Sequence, residues 1–203
     1  NEIEYRAFYG TSLGQSSGDV CNIRDCVHVG PEAFRYAPLR TLDFSGMKRL
    51  SGKIGYGAFR DTGLSGDLPG GSHIKIPEDV TEIGEDAFHN SWITGVDFKG
   101  SRSKTIKRYA FAGNLITSLK LPASVQGIDE YAFMNNLIGT VDLSEVSLTG
   151  YPRCIKRGTF QNNRITDIKF PKRLSSIEED AFADNELSKI DITGGIEHIG
   201  KDA

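Results

Sequence analysis

Tryptophan occurs once, methionine twice, cysteine three times and proline seven times in 203 residues. Cys21, Cys26 and Cys154 are an odd number without the CxxC spacing of a metal site. No apolar run approaches the roughly 18 residues that a membrane-crossing helix needs. A basic excess is also missing: the net charge of −3 speaks against a dedicated nucleic-acid binder, which gains affinity from a cationic footprint. His28, His73, His89 and His198 share no common spacing, so no metal set emerges. GxSxG, HExxH and GxxxxGK patterns are absent, and the GYG at 55–57 reads as a turn before Ala58-Phe59. The chain therefore reads as a non-enzyme without cofactor or metal. No leader segment is visible, which says nothing for a chain that starts inside a repeat.

What the sequence has instead is a period. Phe8, Phe34, Phe59, Phe88, Phe111, Phe133, Phe160 and Phe182 each follow a small residue, and their spacings run between 22 and 29. Five residues after each Phe stands Leu13, Leu39, Leu64, Ile93, Ile116, Ile138, Ile165 or Leu187. Five before it stands Ile3, Val29, Ile54, Ile83, Ile106, Ile128, Ile155 or Ile177, and Ile199 continues the series. Fixed offsets at such a period mark a solenoid, whose units bury apolar surface only against each other. The expected molecule is one α/β solenoid domain over 1–203, about eight coils, cut mid-repeat at both ends.

Within one unit, ITSLKL at 116–121 alternates toward its end and recurs as ITGVDF, IGTVDL, ITDIKF and LSKIDI. That alternation predicts a strand with one buried face, ended by Pro77, Pro122 or Pro171. Val125, Ile128 and Ala132 stand three and four apart, which predicts a short helical turn leading to Phe133. A right-handed coil with a parallel sheet on one face and short helical turns on the other follows, with the Phe side chains in a column. Phe44, Phe98 and Phe170 occupy the last strand position. Asn114, Asn136, Asn163 and Asn185, three after the Phe, are suited to bonding the turn backbone. Cys26 falls in a core slot, so it reads either as a small buried hydrophobe or as a disulfide partner of Cys21, with Cys154 as the free thiol.

The outward strand position runs Asp43, Lys75, Asp97, Lys120, Asp142, Lys169, Asp191, and the turn dyads alternate likewise: Lys107-Arg108, Asp129-Glu130, Lys156-Arg157, Glu178-Glu179. Stacked in register, each charge meets its opposite. These dyads are therefore neither phosphate clamps nor an acid–base pair across a cleft.

Four after the Phe, the central coils carry Trp92, Leu115 and Leu137 where the flanks carry Pro38, Gly63, Arg164 and Glu186. Tyr109 and Tyr131 stand two before their Phe in the same region. These five are candidate partner-binding residues, since exposed aromatics anchor interfaces; the alternative is that Trp92 and the leucines fold over the coil edge. The insertions SGDLPGGSH after Leu64 and SEVSLTGYPR after Leu143 are candidate contact loops.

The unit AFxxNxITxLxLPxxVxxIxxxAF resembles the BspA-like, or Treponema-type, leucine-rich repeat, and the resemblance covers nearly all of 3–203. It implies a secreted or surface-attached microbial protein, an adhesion or protein-recognition module for a host or bacterial macromolecule. Its partner would be a protein or extracellular-matrix ligand, or a second copy of the chain, with no membrane insertion. The other reading is a structural spacer that presents a further domain of a longer chain. The family carries no shared catalytic residues.

Overall fold

Each coil is bounded by two short parallel strands, and both sets stack along the solenoid axis. The computed structural model describes residues 2–13, 21–23, 26, 28–39, 42–43, 52–64, 72–98, 100, 102–149, 152–192 and 195–203. One sheet stacks Glu2–Ile3, His28–Val29, Lys53–Ile54, Glu82–Ile83, Lys104–Ile106 and Val125–Ile128 in that order. Cys154–Ile155, Ser176–Ile177 and His198–Ile199 form a separate sheet of the same kind. The strands predicted from alternation form the second wall: Cys21–Asn22 with Leu42–Asp43, Ser72–Ile76 with Ile93–Phe98, and Ser118–Lys120, Thr140–Asp142 and Asp167–Lys169 in series.

Register is the one the charge alternation requires. Lys75 lies opposite Asp97, Lys120 opposite Asp142, and Asp142 opposite Lys169. Leu119, Val141 and Ile168 point inward from the same strands and are buried.

The expected helical turns are absent among the described residues, and the reason is local. Val125 and Ile128 are both buried ends of one strand, and its register against Lys104–Ile106 shifts between Val125 and Gly127. A β-bulge adds one residue, so inward side chains fall three apart rather than two and imitate helical spacing. Ala132 then follows a turn, not a helix.

That turn carries the core. Adjacent rings of the Phe column, from Phe8 to Phe182, have centroids 5.1 to 5.7 Å apart and planes within 5 to 14° of parallel. Such stacked pairs add about 0.5–1.5 kcal/mol to the roughly 1.5–3 kcal/mol of burying each ring. Each Phe N–H donates to the carbonyl just before the next ring, as in Phe111 to Ala132 and Phe133 to Thr159, both at 2.9 Å. Ala33, Ala58, Ala87, Ala110, Ala132 and Ala181 precede their rings and are buried, so only a small side chain fits there. Phe98 and Phe170 meet Phe111 and Phe182 edge-on; Phe44 lies outside the described residues. The residues five before and five after each Phe are buried from Val29 to Ile177, and Leu187 packs partly buried against the same cluster.

Below the rings, the four asparagines do more than cap their own turn. The Asn136 amide nitrogen donates to the carbonyls of Phe133 and Met134 in its own coil and of Phe111 in the preceding one, at 3.1, 3.2 and 2.9 Å. Its Oδ1 accepts the Ile116 N–H at 3.2 Å. Asn114, Asn163 and Asn185 repeat the arrangement. Each side chain thus closes buried backbone groups of two coils at once, which otherwise cost about 1–3 kcal/mol apiece.

Candidate functional site

The outer side of the Phe turn has an unusual backbone. Two before each Phe the chain is left-handed at Arg6, Glu32, Gly57, Asp86, Tyr109, Tyr131, Gly158 and Asp180, with φ between 51 and 57°. Two after it, Gly10, Tyr36, Asp61, Asn90, Gly113, Asn135, Asn162 and Asp184 are left-handed again, between 52 and 68°. Gly, Asn and Asp tolerate this conformation; Tyr, Arg and Glu adopt it at a cost of about 1–2 kcal/mol. The turn geometry is therefore imposed by the stack; Tyr109 and Tyr131 stay half-exposed at these points, whereas Glu32 and Asp86 are buried.

Tyr109 and Tyr131 use that geometry to form a ring stack of their own. Their centroids are 5.0 Å apart at 10°, and the His89 ring continues the stack at 6.0 Å. The Arg108 guanidinium lies 4.9 and 5.5 Å from the two tyrosine rings. At the other end the Tyr131 ring occupies the space a Gly158 side chain would need. The stack is thus bounded by His89 on one side and by a glycine step on the other, with both tyrosines half-buried.

Trp92 lies on a different column. It is 54 % exposed and left-handed, with φ 59°, at a place where the preceding coil has Gly63 in the same conformation. Leu115 is 42 % exposed, whereas Leu137 is half-buried. The Leu115 N–H donates to Ile93 and the Leu137 N–H to Ile116, so the leucines stay in one ladder beyond Trp92. The structure brings Tyr109 and Tyr131 together and lines up Trp92, Leu115 and Leu137, but no ring contact joins the two groups.

Sequence reasoning missed a second aromatic group at the other end. Tyr9 meets Tyr36 edge-on at 5.5 Å, Arg6 covers Tyr5 and Tyr9, and Arg35 covers Tyr36. The available signal was the recurrence of Tyr two, three or one place from the Phe. Arg6 and Arg35 both hydrogen-bond Glu32. Burial opposes ionisation of Glu32, yet those two hydrogen bonds hold its carboxyl below the ordinary range. The path of charge continues through Arg60 to Asp86 at 2.7 Å and on to His89.

Two open grooves of about 640 Å³ each flank the turns. The first runs over Gly55 and Gly84 between Lys53 and Glu82 on one side and Pro31, Tyr56, Glu85 and Arg108 on the other. Its depth comes from the glycines, where an added Cβ would strike the previous coil's backbone at 2.6 to 2.9 Å. Lys53 pairs with Glu82 at 3.2 Å and Lys107 with Asp129 at 3.4 Å, so its charges largely cancel. The second groove lies beneath the insertion after Leu143.

Lys104 is a buried cation that the sequence did not flag. Its ammonium donates to the carbonyls of Pro77, Glu78 and Val80 at 3.2, 2.9 and 2.7 Å, closing the preceding coil, and burial lowers its pKa. Cys26 packs partly buried against the core, while the Cys21 side chain lies outside the described part of the structure. Cys154 is free and half-buried; burial, then a hydrogen bond with Glu178, pushes its thiol up to about 11. Among the described residues no group of three or more His, Cys, Asp or Glu could hold a metal ion, and no helix is long and apolar enough to cross a membrane.

A chain of stacked turns with one buried ring per coil, an asparagine ladder and two parallel walls defines a leucine-rich-repeat solenoid. The family model for the BspA type leucine rich repeat region matches in 6 copies, over residues 52–149 and 138–203. The chain belongs to that family. Comparison with curated proteins and with solved structures gives no match. The coils before residue 52 share the ring column and turn geometry of the matched ones.

Proposed function

We propose that this chain is an adhesion or recognition module of a secreted or surface-attached microbial protein, binding a host or bacterial macromolecule with the outer side of its central coils. A leucine-rich-repeat solenoid of this family is a protein-interaction architecture, and its stacked turns offer an extended surface for contact. The observation that carries the reading is Trp92. A large indole is both exposed and held in a left-handed backbone, at a place where glycine does the same structural task one coil earlier. Two unfavourable terms at one residue point to a role outside the folded chain's own stability. Leu115 extends the apolar surface, and the Tyr109–Tyr131 stack with Arg108 offers a rigid aromatic anchor on the neighbouring column.

The test is Trp92→Gly measured two ways. Binding of the purified domain to matrix proteins and to cells falls about tenfold or more, as for a central aromatic anchor. The melting temperature holds or rises, because glycine relieves about 1 kcal/mol of left-handed strain. Unchanged binding with a lower melting temperature would assign Trp92 to packing at the coil edge and favour the spacer reading.

A further inference from the structure

The coils answer their charges in most places. Arg60 meets Asp86, Lys53 meets Glu82, Lys107 and Lys156 share Asp129, and Arg157 sits against Glu179 and Asp180. The groove beneath the insertion after Leu143 departs from this rule. Its polar lining includes Ser144, Glu145, Ser147, Thr149, Arg153, Lys172 and Arg173. Among the described residues no carboxylate stands within ion-pair distance of those three cations, and their side chains donate no hydrogen bond within the chain. Glu145, at the rim, is drawn toward Lys120 at 3.8 Å. Asp142, beside it, accepts the Ser144 hydroxyl at 2.6 Å and pairs with Lys169 at 3.4 Å. Three cations and one carboxylate, Glu145, line one concavity, and among the described residues none of the three cations has a carboxylate partner.

We propose that this groove binds a sulfated polysaccharide chain. Like charges gathered in a cleft raise the local positive potential and concentrate anions there. Arg presents a planar fork to an oxyanion and Lys a point charge, so the pair suits sulfate or carboxylate groups spaced along a chain. Lys172 and Arg173 lie in one coil, Arg153 and the insertion in the coil before, and Gln126, which also lines the groove, in the coil before that. Three coils at about 4.8 Å per step give a run of roughly 10 Å, room for more than one anionic group. Hydroxyls interleave with the cations: Ser147 faces the groove, and Thr149 is fixed by its N–H to the Gln126 carbonyl at 2.9 Å. Sugar hydroxyls need such partners. Among the described residues no aromatic ring lines the groove, whereas a single-stranded nucleic acid stacks its bases on aromatic platforms. The site lies on the turn between the two walls, away from the Phe turn that carries Tyr109 and Tyr131. It therefore stands or falls independently of the Trp92 surface.

The experiment titrates a sulfated heparin-derived hexasaccharide into the purified domain by calorimetry. Lys172→Glu with Arg173→Glu removes two exposed cations from a surface turn, and Lys53→Gln in the other groove serves as control. Expected is binding that weakens about tenfold or more in the double variant, holds in the control, and falls steeply between about 50 and 300 mM salt. A circular-dichroism melt equal to that of the wild type shows that the double variant is folded. An alternative variant, Arg173→Gln alone, gives a smaller loss in the same direction. The proposal is overturned by equal affinity in the double variant, by equal affinity for the desulfated sugar, or by tighter binding of an oligonucleotide or acidic peptide of matched charge.

Discussion

The coils headed by Phe8 to Phe88 and those headed by Phe111 to Phe182 solve the same stacking problem with different chemistry. Four places before the ring, the coils of Phe34, Phe59 and Phe88 have Gly30, Gly55 and Gly84, with Glu4 in the Phe8 coil, and at the glycines backbone lies directly on backbone. The second group has Lys107, Asp129, Lys156 and Glu178 there, and side chains bridge the coils, Asp129 pairing with both lysines. Three places after the ring, the first group has Thr11, Ala37, Thr62 and Ser91, of which Thr11 and Thr62 reach their own Phe carbonyl and only the Ser91 hydroxyl donates to the Phe carbonyl of the preceding coil. The second has the asparagine ladder. Ring separations follow: 5.1 to 5.3 Å along the glycine coils and up to 5.7 Å at Phe133–Phe160, where Gly158 receives the Tyr131 ring. The architecture demands that coils touch, that the inner turn carbonyls find donors and that charges be answered, yet it leaves open which position meets each demand.

Four measurements break or sharpen this contrast. Asn136→Ala strands carbonyls of two coils and is expected to cost about 3 kcal/mol or more by denaturant unfolding, against about 1 kcal/mol for Thr62→Val. Equal costs would mean the ladder is redundant. Gly84→Ala forces a Cβ to within 2.6 Å of the Ile54 carbonyl oxygen and is expected to cost about 1–3 kcal/mol, whereas Lys107→Ala, at the equivalent place, costs under about 1 kcal/mol. Lowering the pH acts more gently, and on both halves. The Glu32 carboxyl titrates below its unfolded value, so its contribution is present above the ordinary glutamate range and disappears as pH falls through the lowered folded value. After solvent screening it is worth less than about 1 kcal/mol. Hydrogen exchange in acid is therefore expected to speed up around Phe34 and, because the Ser144 hydrogen bonds and Lys169 also hold Asp142 below its ordinary range, around Asp142; unchanged exchange at both places would contradict this. Smallest in energy is Cys154. With its thiol pushed from 9.0 up to about 11, alkylation at mildly alkaline pH is slower than for an unfolded cysteine by on the order of a hundredfold, and Glu178→Gln accelerates it.

Much of this was legible in the letters. The Phe column, the apolar places five to either side, the strand register of Lys120 with Asp142 and the asparagine contacts all follow from one repeated spacing, because equivalent positions in a solenoid become neighbours. The bulge at Val125–Gly127 was not legible, since a bulged strand and a helix place inward residues equally far apart in sequence. Lys104 was hidden for another reason: its partners are backbone carbonyls, which carry no sequence signature. The glycine floor beneath Tyr56 was masked in the same way. Of the candidate site, the offset from the Phe singled out Trp92, Tyr109 and Tyr131, but it left open whether Trp92 is exposed and did not reveal that the two tyrosines stack. The unanswered cations of the insertion groove needed coordinates, because only a structure shows which carboxylates are already engaged.

The stacked rings also set how the molecule carries load. Along the axis each ring is held by the one above and the one below, so tension applied to the two ends is resisted in series, and the outermost coil yields first. Each coil that peels releases its 22 to 29 residues, a lengthening of about 70 to 100 Å, before the next must give. A solenoid of this kind lengthens in steps under strain and keeps its remaining turns intact.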